Sequence, residues 1–387
     1  MKKKRNSLLL NLFLIILIIS NLACGSLGNN LEALLHFKLG ERFFSNKNYK
    51  RAAEEYEKAI KFNPKHTLAY KQLGFTYILM KKYKKSIKYF EKAIELSPNL
   101  ATPYYGLGVA YDRIGESDKG IKYLQTALKY NHDLAPAYNE IGYIYLLKKN
   151  YKEAKKFLNK CIKLDPYFYK AYNNLGYLYV VTEKYDKAEK ELKKTLELNS
   201  RYCEAHNNLG MLYFTLNKYK NAVDEYKKTL EINPDYNIAR YNLAYLYFQQ
   251  KEYDKAEKEL RILEKKWTNF DRIFLFLGLI DMRKKQYQKA EEELKKAIKI
   301  NPDSAEAYNS LAFLYLITGK YSQSIEEFNK LLKISPDLIE PHYEIGLLYV
   351  KLNNKKEAMK KYNYLLKKDK ALANDLLKWI KKYNGKN

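Results

Sequence analysis

Cysteine is scarce in these 387 residues: Cys24, Cys161 and Cys203 are the only three. At that spacing they build neither a disulfide framework nor a zinc-type ligand set. Histidine numbers five. No nucleophile–base pair, no cluster of carboxylates in an irregular segment and no phosphate-cradling glycine loop accompanies it, so nothing points to an enzyme, a metal or another cofactor. Serine/glycine-rich and low-complexity stretches are missing, which leaves no linker between domains. Long apolar runs are missing too. Leu8–Ile19 is about a dozen residues, short of the roughly 20 that a spanning helix requires.

Glycine is also sparse, 15 in all, yet eight of the 15 fall on one lattice. Steps of 34 residues from Gly40 reach Gly74, Gly108, Gly142, Gly176, Gly210, Ala244, Gly278, Ala312 and Gly346, with no insertion or deletion. A fixed period of this size marks a repeat array, in which each unit packs on its neighbours and the core grows lengthwise. Counting each repeat from position 1 (Ala33 in the first), the lattice residue is position 8. Position 20 is equally small: Ala52, Ser86, Gly120, Ala154, Ala188, Ala222, Ala256, Ala290, Ser324 and Ala358. Apolar residues recur at helical spacing in two stripes per repeat, and Pro64, Pro98, Pro166, Pro234, Pro302 and Pro336 mark where the second helix stops.

The second repeat reads Tyr70-x-x-Leu73-Gly74-x-x-Tyr77, then Tyr83, Ser86, Phe90, Ala93 and Pro98. The fifth reads Tyr172-x-x-Leu175-Gly176-x-x-Tyr179, then Tyr185, Ala188, Leu192 and Thr195. This pattern resembles the tetratricopeptide repeat over residues 33–372. The resemblance implies an all-α, right-handed superhelical solenoid of ten 34-residue helical hairpins, with A helices lining a concave groove and B helices outside. Residues 373–387 read as a C-terminal capping helix and tail, with Leu376, Trp379, Ile380 and Tyr383 on its inner face. Of the 39 tyrosines, 24 occupy positions 4, 11, 17 and 24, so their abundance is mostly structural and no aromatic platform for nucleic acid is inferred. His36, His206 and His342 share position 4, where packing explains them better than ligation.

The same resemblance places a groove at helix A positions 2, 5, 6, 9, 12 and 13, and implies a non-catalytic scaffold for a protein partner. Asn174, Asn208 and Asn242 stand at position 6 of three consecutive repeats, with Asn173 and Asn207 beside the first two. Each amide offers a donor and an acceptor, so a ladder of them suits an extended peptide; asparagine is also the commonest residue at this position in the family. Positions 9 and 12 are apolar, as in Tyr177, Met211 with Phe214, and Tyr245 with Phe248. A helix apolar on two faces is either buried on both or offers a groove for an amphipathic segment. Two places break the pattern: Asp112, Arg113, Ser117, Gly120 and His132 in the third repeat, and Trp267-Thr268, Leu275-Phe276 and Asp281 around the eighth. Function and drift both account for such breaks.

Residues 1–23 read as a signal peptide: a basic start, Lys2-Lys3-Lys4-Arg5, then the apolar run. It ends at Leu22-Ala23-Cys24-Gly25, which resembles the lipobox of bacterial lipoproteins, with Asn21 standing where an apolar residue is usual. The resemblance implies a lipid on Cys24, residues 24–32 as a short tether, and a place at the bacterial cell envelope; an ordinary cleaved signal is the alternative. The net charge of +27 becomes +23 after cleavage before Cys24. Lysines such as Lys148, Lys149, Lys152, Lys155 and Lys156 form either a face for anionic lipid or cell-wall polymer, or merely a solvated surface. No nucleic-acid recognition motif is present.

Overall fold

The computed structural model describes residues 26–383, and the regular structure among them is entirely α-helical. The chain divides into two compact units between Ser200 and Arg201. In the first, five hairpins follow one another. They pair α1 (Ser26–Ser45) with α2 (Tyr49–Phe62), α3 (Thr67–Leu79) with α4 (Tyr83–Leu96), and α5 (Ala101–Arg113) with α6 (Ser117–Tyr130). Then come α7 (Ala135–Leu147) with α8 (Tyr151–Leu164), and α9 (Tyr169–Val181) with α10 (Tyr185–Leu198). The second unit opens with α11 (Cys203–Thr215) and α12 (Tyr219–Ile232), α13 (Asn237–Gln249) and α14 (Tyr253–Glu264), and α15 (Asp271–Arg283) and α16 (Tyr287–Ile300). It continues with α17 (Ala305–Ile317) and α18 (Tyr321–Ile334), α19 (Glu340–Lys351) and α20 (Lys355–Lys368), and a last helix, α21 (Lys370–Tyr383). The first member of each pair is helix A, the second helix B.

Helix A stops the same way ten times. Position 15 takes a positive φ in every turn: Gly115 and Gly319, and eight residues with side chains, Lys47, Lys81, Lys149, Glu183, Asn217, Lys251, Lys285 and Asn353. The next N–H then reaches back to the position 11 carbonyl, as from Lys82 to Tyr77 and from Lys184 to Tyr179, both at 2.8 Å. This left-handed closure satisfies carbonyls that the helix end leaves open, at about 1 kcal/mol or more for each residue with a Cβ. Helix B ends differently. Asn63 and Asp165 each accept a backbone N–H two residues on, at 2.9 Å, which turns the chain into the next helix A.

Small residues sit where the helices cross. A Cβ on Gly176 would stand 2.6 Å from Leu192 Cγ, so the position 24 side chain occupies the space that glycine leaves. The third hairpin is tighter still. A Cβ on Gly120 would stand 2.8 Å from the Gly108 carbonyl oxygen and 3.2 Å from the Asp112 nitrogen, both backbone atoms. Ser117 Oγ donates to Asp112 Oδ1 at 2.8 Å in the same hairpin. Two of its departures from the pattern are therefore adjustments to a closer crossing.

Tyrosines and position 4 residues tie neighbouring helices together. Tyr77 donates to Glu57 at 2.6 Å and stacks on Tyr89; Tyr315 donates to Glu291 at 2.9 Å. His36 lies 2.6 Å from Glu55 and His206 2.6 Å from Glu225, each linking position 4 to position 23, and Arg240 pairs with Glu259 across the same two positions. In the last hairpin position 23 is Lys361, whose Nζ is 3.3 Å from His342 Nδ1. Burial, with that ammonium beside it, pushes His342 down to about 4.

The two ends differ from expectation. Residues 26–32, expected as tether, are the first turns of α1, and Asn63 there donates to Asn30 at 2.9 Å. Cys24 and Gly25 lie outside the described residues, as does the signal segment. The final helix begins at Lys370 rather than at 373, because Asp369 Oδ1 caps it by accepting the N–H groups of Ala371 and Leu372. Ala373, Leu376 and Ile380 are buried, but Trp379 is 40% exposed, with the Lys382 ammonium over its ring, rather than part of the inner face. The Tyr383 side chain lies outside the described residues.

Two outcomes follow. Gly120→Ala should destabilise the chain by about 1–3 kcal/mol, read from the urea midpoint, although seven sister repeats carry alanine there. An unchanged midpoint would mean that the Gly108 carbonyl and the Asp112 nitrogen can move aside for a methyl group. The folded chain should keep His342 neutral down to about pH 4, while the unfolded chain protonates it near 6.5. The unfolded state then binds more protons between those values, so stability present above about pH 6.5 is lost as pH falls toward 4. An NMR titration of the His342 ring should give the low midpoint, and His342→Tyr should flatten the acid side of the stability curve.

Candidate functional site

Helix A has one face turned to its own helix B and another beside the A helices before and after it. On that second face, in the second unit, a cavity of about 280 Å³ opens among α11, α13 and α15. Met211, Phe214 and Thr215 line it from α11, Tyr241, Asn242 and Tyr245 from α13, and Arg272 from α15; Tyr226 of α12 reaches it from behind. Tyr226 occupies position 24, and Gly210 is the reason it fits, since a Cβ there would stand 2.5 Å from the ring.

The amides work in pairs. Asn242 Nδ2 donates to Asn207 Oδ1 at 3.2 Å, and in the first unit Asn174 Nδ2 donates to Asn139 Oδ1 at 3.0 Å. Each pair joins position 6 of one repeat to position 5 of the repeat before. Asn139, Asn173, Asn207 and Asn208 are buried, whereas Asn174 and Asn242 are half-buried. The position 5 amide therefore anchors its neighbour from inside. Asn242 keeps one Nδ2 hydrogen and its carbonyl oxygen for a ligand in the cavity it lines.

Aromatic rings form the wall. Phe214 meets Tyr245 at 5.7 Å between centroids, Tyr245 meets Phe276 at 5.5 Å, and Phe248 meets Phe276 at 5.0 Å. Tyr241 continues the wall to Phe270, and Phe270 to Trp267, each at 5.2 Å. Phe276 stands at position 6, so the irregular eighth repeat ends the asparagine series with a buried ring that braces the cavity. Charge enters at Arg272, whose guanidinium is held protonated by a hydrogen bond with Tyr241; burial opposes this, and Glu306 at 3.6 Å reinforces it. Burial raises the Tyr241 hydroxyl, so it remains an O–H donor at neutral pH.

Of the residues expected from the sequence, Asn242, Met211, Phe214 and Tyr245 line the cavity together. Asn207 supports Asn242, and Phe248 sits against Phe276 without lining the cavity. Asn173, Asn174 and Tyr177 belong to α9 of the first unit, where Asn173 donates to Asn174 at 3.5 Å. Sequence reasoning missed Asn139, Tyr241 and Arg272. The run of asparagine at position 5 in three consecutive repeats was the available signal for the first. The expected apolar stripe is divided: Leu146, Val180 and Val350 of position 12 are buried, while exposed apolar residues stand at position 13 (Leu79, Leu147, Val181 and Ile317) and at position 2 (Leu34, Leu68 and Ile238).

The lysines read as a basic face are mostly engaged. Lys148 pairs with Asp118, Lys156 with Glu153, and Lys155 lies over the Tyr179 ring, while Lys149 is a turn residue. Cys161 is a free, buried thiol pushed up to about 12 by burial, and Cys203 is also free. Among the described residues no group of histidine, cysteine and carboxylate side chains has metal-binding geometry, and no helix is long and apolar enough to cross a membrane.

Family models described as tetratricopeptide repeat match residues 33–66, 67–100, 101–133, 135–168, 157–190, 203–236 and 229–269. A further model, described as TPR repeat, matches 278–317 and 314–353. Together these spans take in about three-quarters of the chain. The chain is a tetratricopeptide repeat protein. A comparison with curated proteins found no match. Among solved structures, MamA is 28% identical over 44% of this chain and 93% of its own, with a TM-score of 0.37. Yeast Tom70 is 15% identical over 91% and 95%, at 0.40. YrrB, described as a TPR protein with an unusual peptide-binding site, is 21% identical over 48% and 96%, at 0.36. These scores are too low to carry a ligand from those proteins to this repeat array.

Removing the buried amide should be costlier than removing its exposed partner. Asn207→Ala removes a buried side chain with its contacts to both Asn242 and Met211 Sδ and should lower stability by about 1–3 kcal/mol, whereas water from the adjoining cavity can replace the donor lost in Asn242→Ala, which should cost less than about 1. Urea unfolding of both variants checks the order, and the reverse order would contradict the anchoring role.

Proposed function

We propose that this tetratricopeptide repeat protein is a non-catalytic scaffold that holds a peptide or amphipathic segment of a protein partner against its A-helix face. The cavity among α11, α13 and α15 carries this reading. It combines apolar rings with one partly free amide, a tyrosine hydroxyl and a guanidinium, the mixture of bulk apolar surface and few polar groups typical of ligand pockets. Asn242 can take one backbone amide of a peptide while Phe214 and Tyr245 take an apolar side chain. Asn174 and Tyr177 offer the same pair of residue types on α9.

The N-terminal sequence supports a site of action at the bacterial envelope, with Cys24 as the lipid-bearing residue and the tether shortened by the early start of α1. Envelope assembly or secretion is the setting in which a tethered peptide-gripping array is useful. The engaged lysines weaken the reading in which anionic lipid is the main ligand, since i,i+3 surface pairs are ordinary features of a solvated helix.

Photo-crosslinking in cells from Tyr177 and Phe214, with products identified by mass spectrometry, tests this function. One or two dominant protein partners are expected, with yield at Phe214 reduced by about tenfold in Asn242→Ala. Lipid adducts alone, or yields indifferent to Asn242, would overturn it.

A further inference from the structure

A second cavity, of about 460 Å³, lies among α17, α18 and α19 and shares no lining residue with the first. It exists because α19 starts late. Position 1 is helical in the nine other repeats, but here Ile339 forms a bend and the helix begins at Glu340, with Pro341 as its second residue. Proline is pre-set for a first helical turn and supplies no N–H to the turn before it. The delayed start leaves Leu338 partly exposed, and the space between the A helices stays open down to Phe328 at position 24. Phe313, Phe328, Leu331 and Leu338 make an apolar floor.

Three carboxylates border this apolar hollow: Glu306, Glu340 and Glu344. Arg272 stands 3.6 Å from Glu306, with both side chains well exposed. Glu340 and Glu344 have no ion pair among the described residues, in a chain with 71 lysines and arginines. Burial raises the Glu344 carboxyl, with only Lys351 opposing. An apolar floor with a negative rim complements one type of side chain: a long aliphatic stem ending in a cation, which buries its methylenes and keeps its head at the edge. The Phe313 ring adds an attractive face for that cation. The net charge of +27 works against a uniformly basic partner, so the cation has to come singly.

We propose that this cavity is the docking site for one arginine or lysine side chain carried on an apolar, otherwise neutral or acidic segment of a protein partner. It goes beyond the peptide-gripping reading of the first cavity and does not depend on it. Recognition here is by charge and stem length, where the first cavity offers amide and aromatic contacts.

The test uses the full chain and a trifluoroacetyl-capped Leu-Arg-Leu-Glu peptide amide, beside the same peptide with neutral citrulline for arginine. Binding is followed by ¹⁹F NMR of the peptide. The arginine peptide should bind about tenfold more tightly than the citrulline one. Glu340→Gln with Glu344→Gln should erase that preference, and Asn242→Ala should leave it intact. Equal affinity of the two peptides, no binding of either, or a preference that survives the glutamine pair would each overturn the proposal. Loss of the preference in Asn242→Ala would assign the peptide to the first cavity and overturn it as well. A circular-dichroism melt unchanged in the glutamine pair confirms that folding is not the cause, as expected for two side chains on the rim.

Discussion

Where helix A crosses helix B, the side chain at position 24 lies on a residue at position 8 that has almost none of its own, and much of the hairpin follows from that contact; in the last hairpin Leu376 of α21 takes the place of position 24. Tyr56 covers Gly40, Phe90 covers Gly74, and Leu192 covers Gly176, each with atoms under 3 Å from where a Cβ would stand. Glycine inside a helix costs up to about 1 kcal/mol relative to alanine, so the crossing must return at least that much in packing. It also fixes what lies on the other side. A large ring at position 24 reaches between successive A helices and stays buried there, as Phe90 does between Gly74 and Gly106. Gly106 is glycine because Phe90 already fills its space, with a ring carbon 2.3 Å from a built Cβ.

Both cavities grow from this constraint. Tyr226 and Phe328 are position 24 rings, and each reaches a hollow on the A-helix face. Around Tyr226 the surroundings are amide, tyrosine and arginine; around Phe328 they are carboxylates. The repeat supplies the floor and single substitutions supply the chemistry. One architecture thereby carries two hollows of different chemistry, the second opened by a single shifted helix start.

Much of this was legible in the sequence because the period is strict. The hairpins, the crossing residues and the tyrosine positions all followed from counting by 34, and Asn242, Met211, Phe214 and Tyr245 do meet in one cavity. Turn geometry was not legible. Lys149 and Lys251 look like surface charge, yet they hold a left-handed backbone that glycine would adopt more easily. Asn207 was hidden for another reason: position alone does not say whether an amide faces outward or braces its neighbour. Phe276 read as an intrusion, and only its ring contacts with Tyr245 and Phe248 show it as a brace behind the cavity. The late start of α19 left no periodic trace, since Pro341 shifts a helix boundary without breaking the count.

Packing occupies the sides of helices A and B that face each other, and of the faces left over the A-helix face is the one proposed for partners. Backbone amide exchange of the full chain, measured with and without a crosslinked partner attached at Phe214, tests that division most directly. Added protection is expected in α11 and α13 and none in α12 and α14. Protection that fell on α12 and α14 instead would contradict it.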